Sequence, residues 1–184
     1  VSRLGASVLI SNGETLVGLS RGHTLYQFPL GNVDILDADD DAAFSDHFAH
    51  VAPGGLHYGA VLALDLCLHK PLVATVGVDG TVRVWNYLRR KCELVHRAAN
   101  EEPGCVALHP SGFELLVGYK ERVRLYALLL SELKPLRELA LARCKESRYA
   151  HGGHQFACAV GISVATYAAV TLQQLYSFPG HIAP

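Results

Sequence analysis

Three aromatic residues stand at equal intervals in this chain, and each closes the same kind of run. Trp85 ends Thr81-Val-Arg-Val-Trp, Tyr126 ends Arg122-Val-Arg-Leu-Tyr and Tyr167 ends Ser163-Val-Ala-Thr-Tyr, so the step is 41 residues both times. Turn formers keep the same beat. His69-Lys70-Pro71, Pro110-Ser111-Gly112 and Gly152-Gly153 come before an apolar run in each unit, and Asp79, Lys120 and Gly161 come after it. The apolar runs, Leu72–Val76, Glu114–Tyr119 and Phe156–Val160, are short and rich in β-branched, aliphatic and aromatic side chains. Such side chains fit a pleated, buried surface, and runs of that length bounded by turns read as strands.

A period of roughly 40 to 45 residues with four strands per unit is that of a propeller blade. The remaining strands fit this reading. The third strands alternate Val82 and Val84 with Arg83, and Val123 and Leu125 with Arg124, which predicts a sheet packed on one face with the arginines toward water. The fourth strands, Cys92–Val95, Leu136–Leu141 and Leu172–Phe178, are the most polar, as outermost strands should be. The expected fold is therefore all-β: a WD-repeat β-propeller with four antiparallel strands per blade, of which this chain holds about four blades of a larger, seven-bladed ring. Residues 1–30 form a partial first blade, with strands in Ser7–Ser11, Thr15–Leu19 and His23–Leu30. Residues 31–56 form an acidic loop containing Asp34, Asp37, Asp39, Asp40, Asp41 and Asp46. Blades follow at 57–98, 99–139 and 140–179, and 180–184 opens another with the Gly180-His181 dipeptide of WD blades. The chain contains no methionine, which marks it as an internal segment of something longer.

Composition excludes several functions. Lys and Arg number 16 against 17 Asp and Glu, a formal net charge of −1, so no strong field favours nucleic acid or an anionic membrane. The longest apolar runs, such as Ala127–Leu130, fall far short of the roughly 20 residues needed to span a bilayer, and a soluble protein is expected. Cys67, Cys92, Cys105, Cys144 and Cys158 are odd in number, lack C-x-x-C spacing and sit mostly in apolar runs, so they read as buried thiols in a reducing compartment.

One constellation has a tight spacing. WD blades often link a His before the first strand, a Ser or Thr in the second, an Asp in the turn after it and the Trp of the third. Here His57, Thr75, Asp79 and Trp85 occupy those places. An imidazole, a hydroxyl, a carboxylate and an indole N–H can satisfy one another where water is excluded. The same residue types are the ingredients of a nucleophilic triad. The WD spacing accounts for every one of them, however, and no G-x-S-x-G elbow is present, so the expected role is structural and no catalytic residue is assigned. The next two units hold Ala98, Leu116, Lys120 and Tyr126, then Leu139, Ala157, Gly161 and Tyr167 at those positions, and are expected to rely on apolar packing.

Other candidates are weaker. His151 and His154 share one turn but lack further ligands, so no metal is assigned and a solvated turn is expected. The Asp-rich loop lacks the frame and terminal Glu of a calcium loop. No cofactor motif is present. Basic residues gather at Arg89-Arg90-Lys91 and at Arg122 and Arg124; a solvated surface explains them, but rim loops of a propeller could unite them into one docking surface for an acidic protein such as tubulin.

The runs His69-Lys-Pro-Leu-Val-Ala-Thr-Val, Asp79-Gly-Thr-Val-Arg-Val-Trp-Asn-Tyr87 and Val106-Ala-Leu-His-Pro-Ser-Gly112 closely resemble the axonemal cilia- and flagella-associated WD-repeat proteins. Leu115–Gly118, Arg122–Leu125, Leu128–Lys134 and Cys144 through His151-Gly-Gly-His-Gln-Phe-Ala157 follow the family's order and spacing. Within the family the likeness is to members that act as inner-arm dynein adaptors beside the nexin–dynein regulatory complex. The resemblance implies a non-catalytic scaffold of the ciliary axoneme, with inner-arm dynein subunits, the nexin–dynein regulatory complex and tubulin as partners, and no cofactor, nucleic acid or membrane. The alternative from another class is a WD protein-interaction module of a ubiquitin ligase receptor or a trafficking coat.

Overall fold

The structure is a computed structural model, and it describes residues 4–9, 15–20, 25–29, 49–50, 57–98 and 101–180, the first four of these spans as backbone only. The described residues are all-β. Sixteen strands form four antiparallel sheets of four, each a simple meander. The first sheet takes β1 (Leu4–Leu9), β2 (Thr15–Ser20), β3 (Leu25–Pro29) and β4 (Ala49–His50). The second takes β5 (Val61–Leu66), β6 (Leu72–Gly77), β7 (Thr81–Asn86) and β8 (Lys91–Arg97). The third takes β9 (Cys105–Leu108), β10 (Glu114–Gly118), β11 (Val123–Leu128) and β12 (Leu133–Leu139), and the fourth β13 (Cys144–Tyr149), β14 (Gln155–Val160), β15 (Ser163–Ala168) and β16 (Gln174–Pro179).

The repeat expected from the sequence is the repeat of the sheets. Trp85, Tyr126 and Tyr167 fall in the third strand of successive sheets, and the expected turns separate the strands. Each aromatic stands at a β-bulge: the register of the outer strand shifts between Val84 and Trp85, between Leu125 and Tyr126, and between Thr166 and Tyr167. The bulge twists the edge strand at the position where the largest side chain must fit. It also explains one difference from expectation. β12 begins at Leu133, not Leu136, because Pro135 is tolerated on an edge strand and stands opposite Tyr126 at the bulge. In the first sheet the fourth strand comes from within the segment expected as the acidic loop, since Ala49–His50 pair with Tyr26–Gln27. The loop aspartates Asp34 to Asp46 and the Gly180-His181 continuation at His181 lie outside the described residues.

Burial shows how the sheets stack. One face of the second sheet, with Leu72, Ala74, Val76, Val82, Val84 and Leu94, packs on Val106, Leu108, Leu115, Val117 and Tyr126 of the third. The other face of the third sheet, with Ala107, Leu116, Val123 and Leu125, packs on Phe156, Cys158 and Tyr167 of the fourth. The third sheet is thus buried on both faces, which is why β9 and β10 read as continuous apolar runs rather than alternating ones. The first strands of successive sheets, β5, β9 and β13, lie side by side. The fourth strands β8, β12 and β16 are farthest out and mostly exposed, as their polarity predicted. Cys67, Cys105, Cys144 and Cys158 are buried free thiols, as expected; Cys92 is half-buried.

Neighbouring sheets are also joined by polar clasps along their turns and inner strands. His69 Nδ1 lies 2.8 Å from the Pro110 carbonyl, and His109 Nε2 lies 3.2 Å from that of Gly153, the same contact made one repeat later. Lys70 donates to the Gly112 carbonyl at 3.1 Å. Asp65, buried in β5, accepts the Leu108 N–H of β9 at 2.8 Å and is ion-paired with Arg148 of β13. One carboxylate therefore ties three successive sheets together.

Candidate functional site

His57, Thr75, Asp79 and Trp85 come together as their spacing predicted. Thr75 is in the centre of β6 and is fully buried; Trp85 lies beside it on β7, and its indole N–H donates to Thr75 Oγ1 at 3.0 Å. His57 precedes β5 and puts Nε2 2.8 Å from Thr75 Oγ1 and Nδ1 2.9 Å from Asp79 Oδ1. An indole can only donate and a carboxylate can only accept, so one proton order satisfies the chain. Trp85 donates to Thr75, the Thr75 hydroxyl donates to His57 Nε2, and His57 Nδ1–H donates to Asp79.

The structure adds members that the spacing did not reveal. Asp79 also accepts from the Tyr58 N–H at 3.0 Å, the Thr81 N–H at 3.1 Å and the Thr81 hydroxyl at 2.7 Å. Arg83 Nη2 is 3.3 Å from Asp79 Oδ2, and Arg97 donates to the Asp79 carbonyl at 3.1 Å. Burial alone would raise the Asp79 pKa, but the Thr81 and His57 side chains and the two backbone N–H groups outweigh it and hold the carboxyl well below its usual range. Arg83 was expected to face water. Its side chain is instead 16% exposed, because the alternation of β7 turns it toward the Asp79 carboxylate.

Gly77, the last residue of β6, was also not apparent as part of this site. A Cβ at Gly77 would come within 2.5 Å of His57 Nδ1 and 3.0 Å of Asp79 Oδ1. Gly77→Ala is expected to push the imidazole off the carboxylate and cost about 2 kcal/mol, read as a lowered midpoint in urea unfolding at unchanged slope. A loss under about 0.5 kcal/mol would show that the network can shift to admit a methyl group.

Thr75 Oγ1 accepts from Trp85 and donates to His57, and the residue is 0% exposed, so the hydroxyl does not reach solvent.

The next sheet, expected to be purely apolar here, carries a different polar chain. Tyr126, at the position of Trp85, places its hydroxyl 2.7 Å from that of Tyr119, and Arg124 donates to it at 3.2 Å. Arg124 pairs with Glu101 at 2.8 Å and Glu138 at 3.2 Å, and Arg122 with the same two carboxylates at 3.1 and 3.4 Å. The chain arises because a tyrosine hydroxyl buried in place of an indole needs a partner, and Tyr119 at the end of β10 supplies it. Burial, then the Tyr126 contact, pushes the Tyr119 pKa up. The last full sheet does rely on packing: Phe156 stacks on Tyr167 with centroids 5.5 Å apart, and Tyr149 meets Phe156 edge-on at 5.7 Å.

The basic candidates separate. Arg122 stands with Asp79, Gly80, Arg97, Glu101 and Lys120 around a cleft of about 720 Å³ at the end of the sheets that carries the turns after the second strands. Arg89 and Arg90 occupy the turn between β7 and β8 at the opposite end. They cannot form one surface, and Arg122 and Arg124 are engaged with glutamates. Arg89, by contrast, has a side chain 78% exposed and only a 3.8 Å contact to Glu93. His151 and His154 are exposed in the turn before β14.

Four-stranded meanders stacked face to face, one of them closed by the His–Thr–Asp–Trp network, are consistent with the blades of a WD-repeat protein. Homologues carry a specific name. The chain is 32% identical over 168 residues, 91% of its length, to Cilia- and flagella-associated protein 57 of Mus musculus. It is 41% identical over 101 residues, 55% of its length, to Cilia- and flagella-associated protein 57 A of Tetrahymena thermophila. The chain spans 13% of the mouse protein and 8% of the Tetrahymena protein. No family model matches the chain.

Proposed function

We propose that this chain is an arc of a β-propeller in a ciliary scaffold, where it binds doublet-microtubule proteins in the axoneme and helps seat inner dynein arms without chemistry of its own. The observation that carries the ciliary reading is the similarity to Cilia- and flagella-associated protein 57 over 91% of the chain. The propeller reading is supported by the side-by-side inner strands β5, β9 and β13 and by the two-faced burial of the middle sheet. A further blade is the natural cover for the far face of the last sheet, where Tyr176 and Phe178 are 64% and 56% exposed. The non-catalytic reading is supported by the full burial of Thr75, the hydroxyl held by His57.

The test is to tag the full-length protein in ciliated cells and isolate axonemes with detergent and moderate salt. The tagged protein is expected to stay with the doublets, and its removal is expected to release inner-arm dynein. Full extraction into the soluble fraction would end the axonemal reading.

A further inference from the structure

At the end of the sheets opposite the Asp79 cleft, a groove of about 550 Å³ opens between the second and third sheets. Its floor is core: Leu72, Val84 and Leu94 are 7%, 1% and 5% exposed. Its walls are apolar and open to solvent, with Phe113 at 62%, Leu129 at 45% and Leu130 at 100%. The turns equivalent to Leu129-Leu130 in the sheets on either side carry Leu88 and Val170, 67% and 71% exposed. Single exposed leucines need no explanation, but here three successive turns at one end of the molecule each carry an exposed apolar tip.

The rim of this groove is basic. Lys70, Arg89 and Glu93 line the groove, and the turns that frame it add Arg90 and Glu132, so cations outnumber carboxylates by three to two. Lys70 is pinned rather than free: its ammonium donates to the Gly112 carbonyl at 3.1 Å and sits 3.1 Å from the centroid of the Phe113 ring. That contact orients an aromatic wall and fixes a cation at its edge without neutralising it. Glu93, the carboxylate inside the groove, accepts from the Asn86 amide at 3.0 Å and lies 3.8 Å from Arg89, whose side chain stays 78% exposed.

We propose that this groove docks a segment of a partner protein in which large aliphatic or aromatic side chains are flanked by carboxylates. The apolar side chain enters between Phe113 and Leu129 over the Leu72–Val84–Leu94 floor, and the flanking carboxylates meet Lys70, Arg89 and Arg90. The geometry is that of an interface hot spot, with a desolvated apolar centre and a charged rim that selects the partner and speeds encounter. The proposal rests on the reading of the chain as a protein-binding scaffold. It does not depend on which organelle houses that scaffold.

The test uses the full-length protein and a short fluorescein-labelled peptide with leucine and phenylalanine set among glutamates, followed by fluorescence anisotropy. One control peptide has lysines for the glutamates, and the other has serines for the apolar residues. Binding is expected for the first peptide alone and is expected to weaken as salt is raised. Phe113→Ser with Leu130→Ser, or Arg89→Glu with Arg90→Glu, should weaken it about tenfold or more. Lys120→Glu with Glu121→Lys, at the other end of the sheets, should leave it unchanged. If the Phe113 change disturbs folding, Leu130→Ser alone carries the test. No binding of the glutamate peptide, equal binding of either control peptide, or indifference to the groove variants would overturn the proposal. A photo-crosslinking residue at position 130 in cells gives a second reading. Crosslinks to an acidic, apolar stretch of another protein support docking, and crosslinks to another part of the same chain or to a stretch without carboxylates refute it. A protein that binds the peptide but washes off axonemes keeps the groove and loses the ciliary assignment, and the reverse result sinks only the groove.

Discussion

Asp79→Ala is expected to lower the stability of the protein by about 3 kcal/mol, more than a hundredfold in the folding equilibrium. The size follows from what the carboxylate holds. Its side chain is 4% exposed, and it accepts from His57, from the Thr81 hydroxyl and from the N–H groups of Tyr58 and Thr81. Alanine leaves those donors facing a hole, and the loss passes through His57 to Thr75 and Trp85. Chemical denaturation at neutral pH gives the number directly. A fully stable variant would show that apolar packing of Val73, Val76 and Val82 alone fixes the turn.

The same carboxylate sets an acid limb. Asp79 is held below its ordinary value of 3.8, so the folded state binds its proton less readily than the unfolded chain does. The stability it contributes is complete above about pH 4 and is lost as pH falls below that toward its depressed value. Asp65 works in the opposite sense. Burial raises its pKa despite Arg148 and the Leu108 N–H, so protonation on acidification does not cost the fold through this group. Acid unfolding is therefore expected to flatten in Asp79→Asn and to steepen when Asp65 is changed to Asn, because the offsetting proton uptake is then lost.

Asp65→Ala is the second large effect, expected at about 2 to 3 kcal/mol. It strips the Leu108 N–H of its acceptor in a buried position and releases Arg148, whose side chain is 45% exposed and can turn to water. Because Arg148 recovers hydration, Arg148→Ala should cost less than Asp65→Ala, and the double variant should cost less than the sum. Equal costs for the two single variants would mean that the ion pair, rather than the backbone N–H, carries the contact. The effect should be cooperative across the three sheets, since β5, β9 and β13 meet at this one carboxylate. Hydrogen exchange at Leu108 would report it locally.

Much of this was legible along the chain. The 41-residue beat located the second, third and fourth strands of three sheets and their turns because a meander of four strands is local: each strand pairs with the next, and turn chemistry marks where one stops. The His57–Thr75–Asp79–Trp85 network was legible for the same reason, since all four belong to one sheet and its lead-in. Fidelity fell where partners came from another sheet or from a bulge. The start of β12 was misplaced because a bulge changes the register without changing composition. Arg83 and Arg124 read as solvent-facing because alternation tells which side of a strand a residue takes, not what waits there.

What the sequence determined by itself is the four-stranded unit, in its polar edge and its His57–Thr75–Asp79–Trp85 network, since these depend on neighbours within about 40 residues along the chain. What only the tertiary structure decided lies between sheets. It tied Asp65 to Arg148 across three sheets and sent Arg89 and Arg122 to opposite ends. Contacts at one repeat or more of separation leave no periodic mark, because they are set by how sheets stack and not by how a strand alternates.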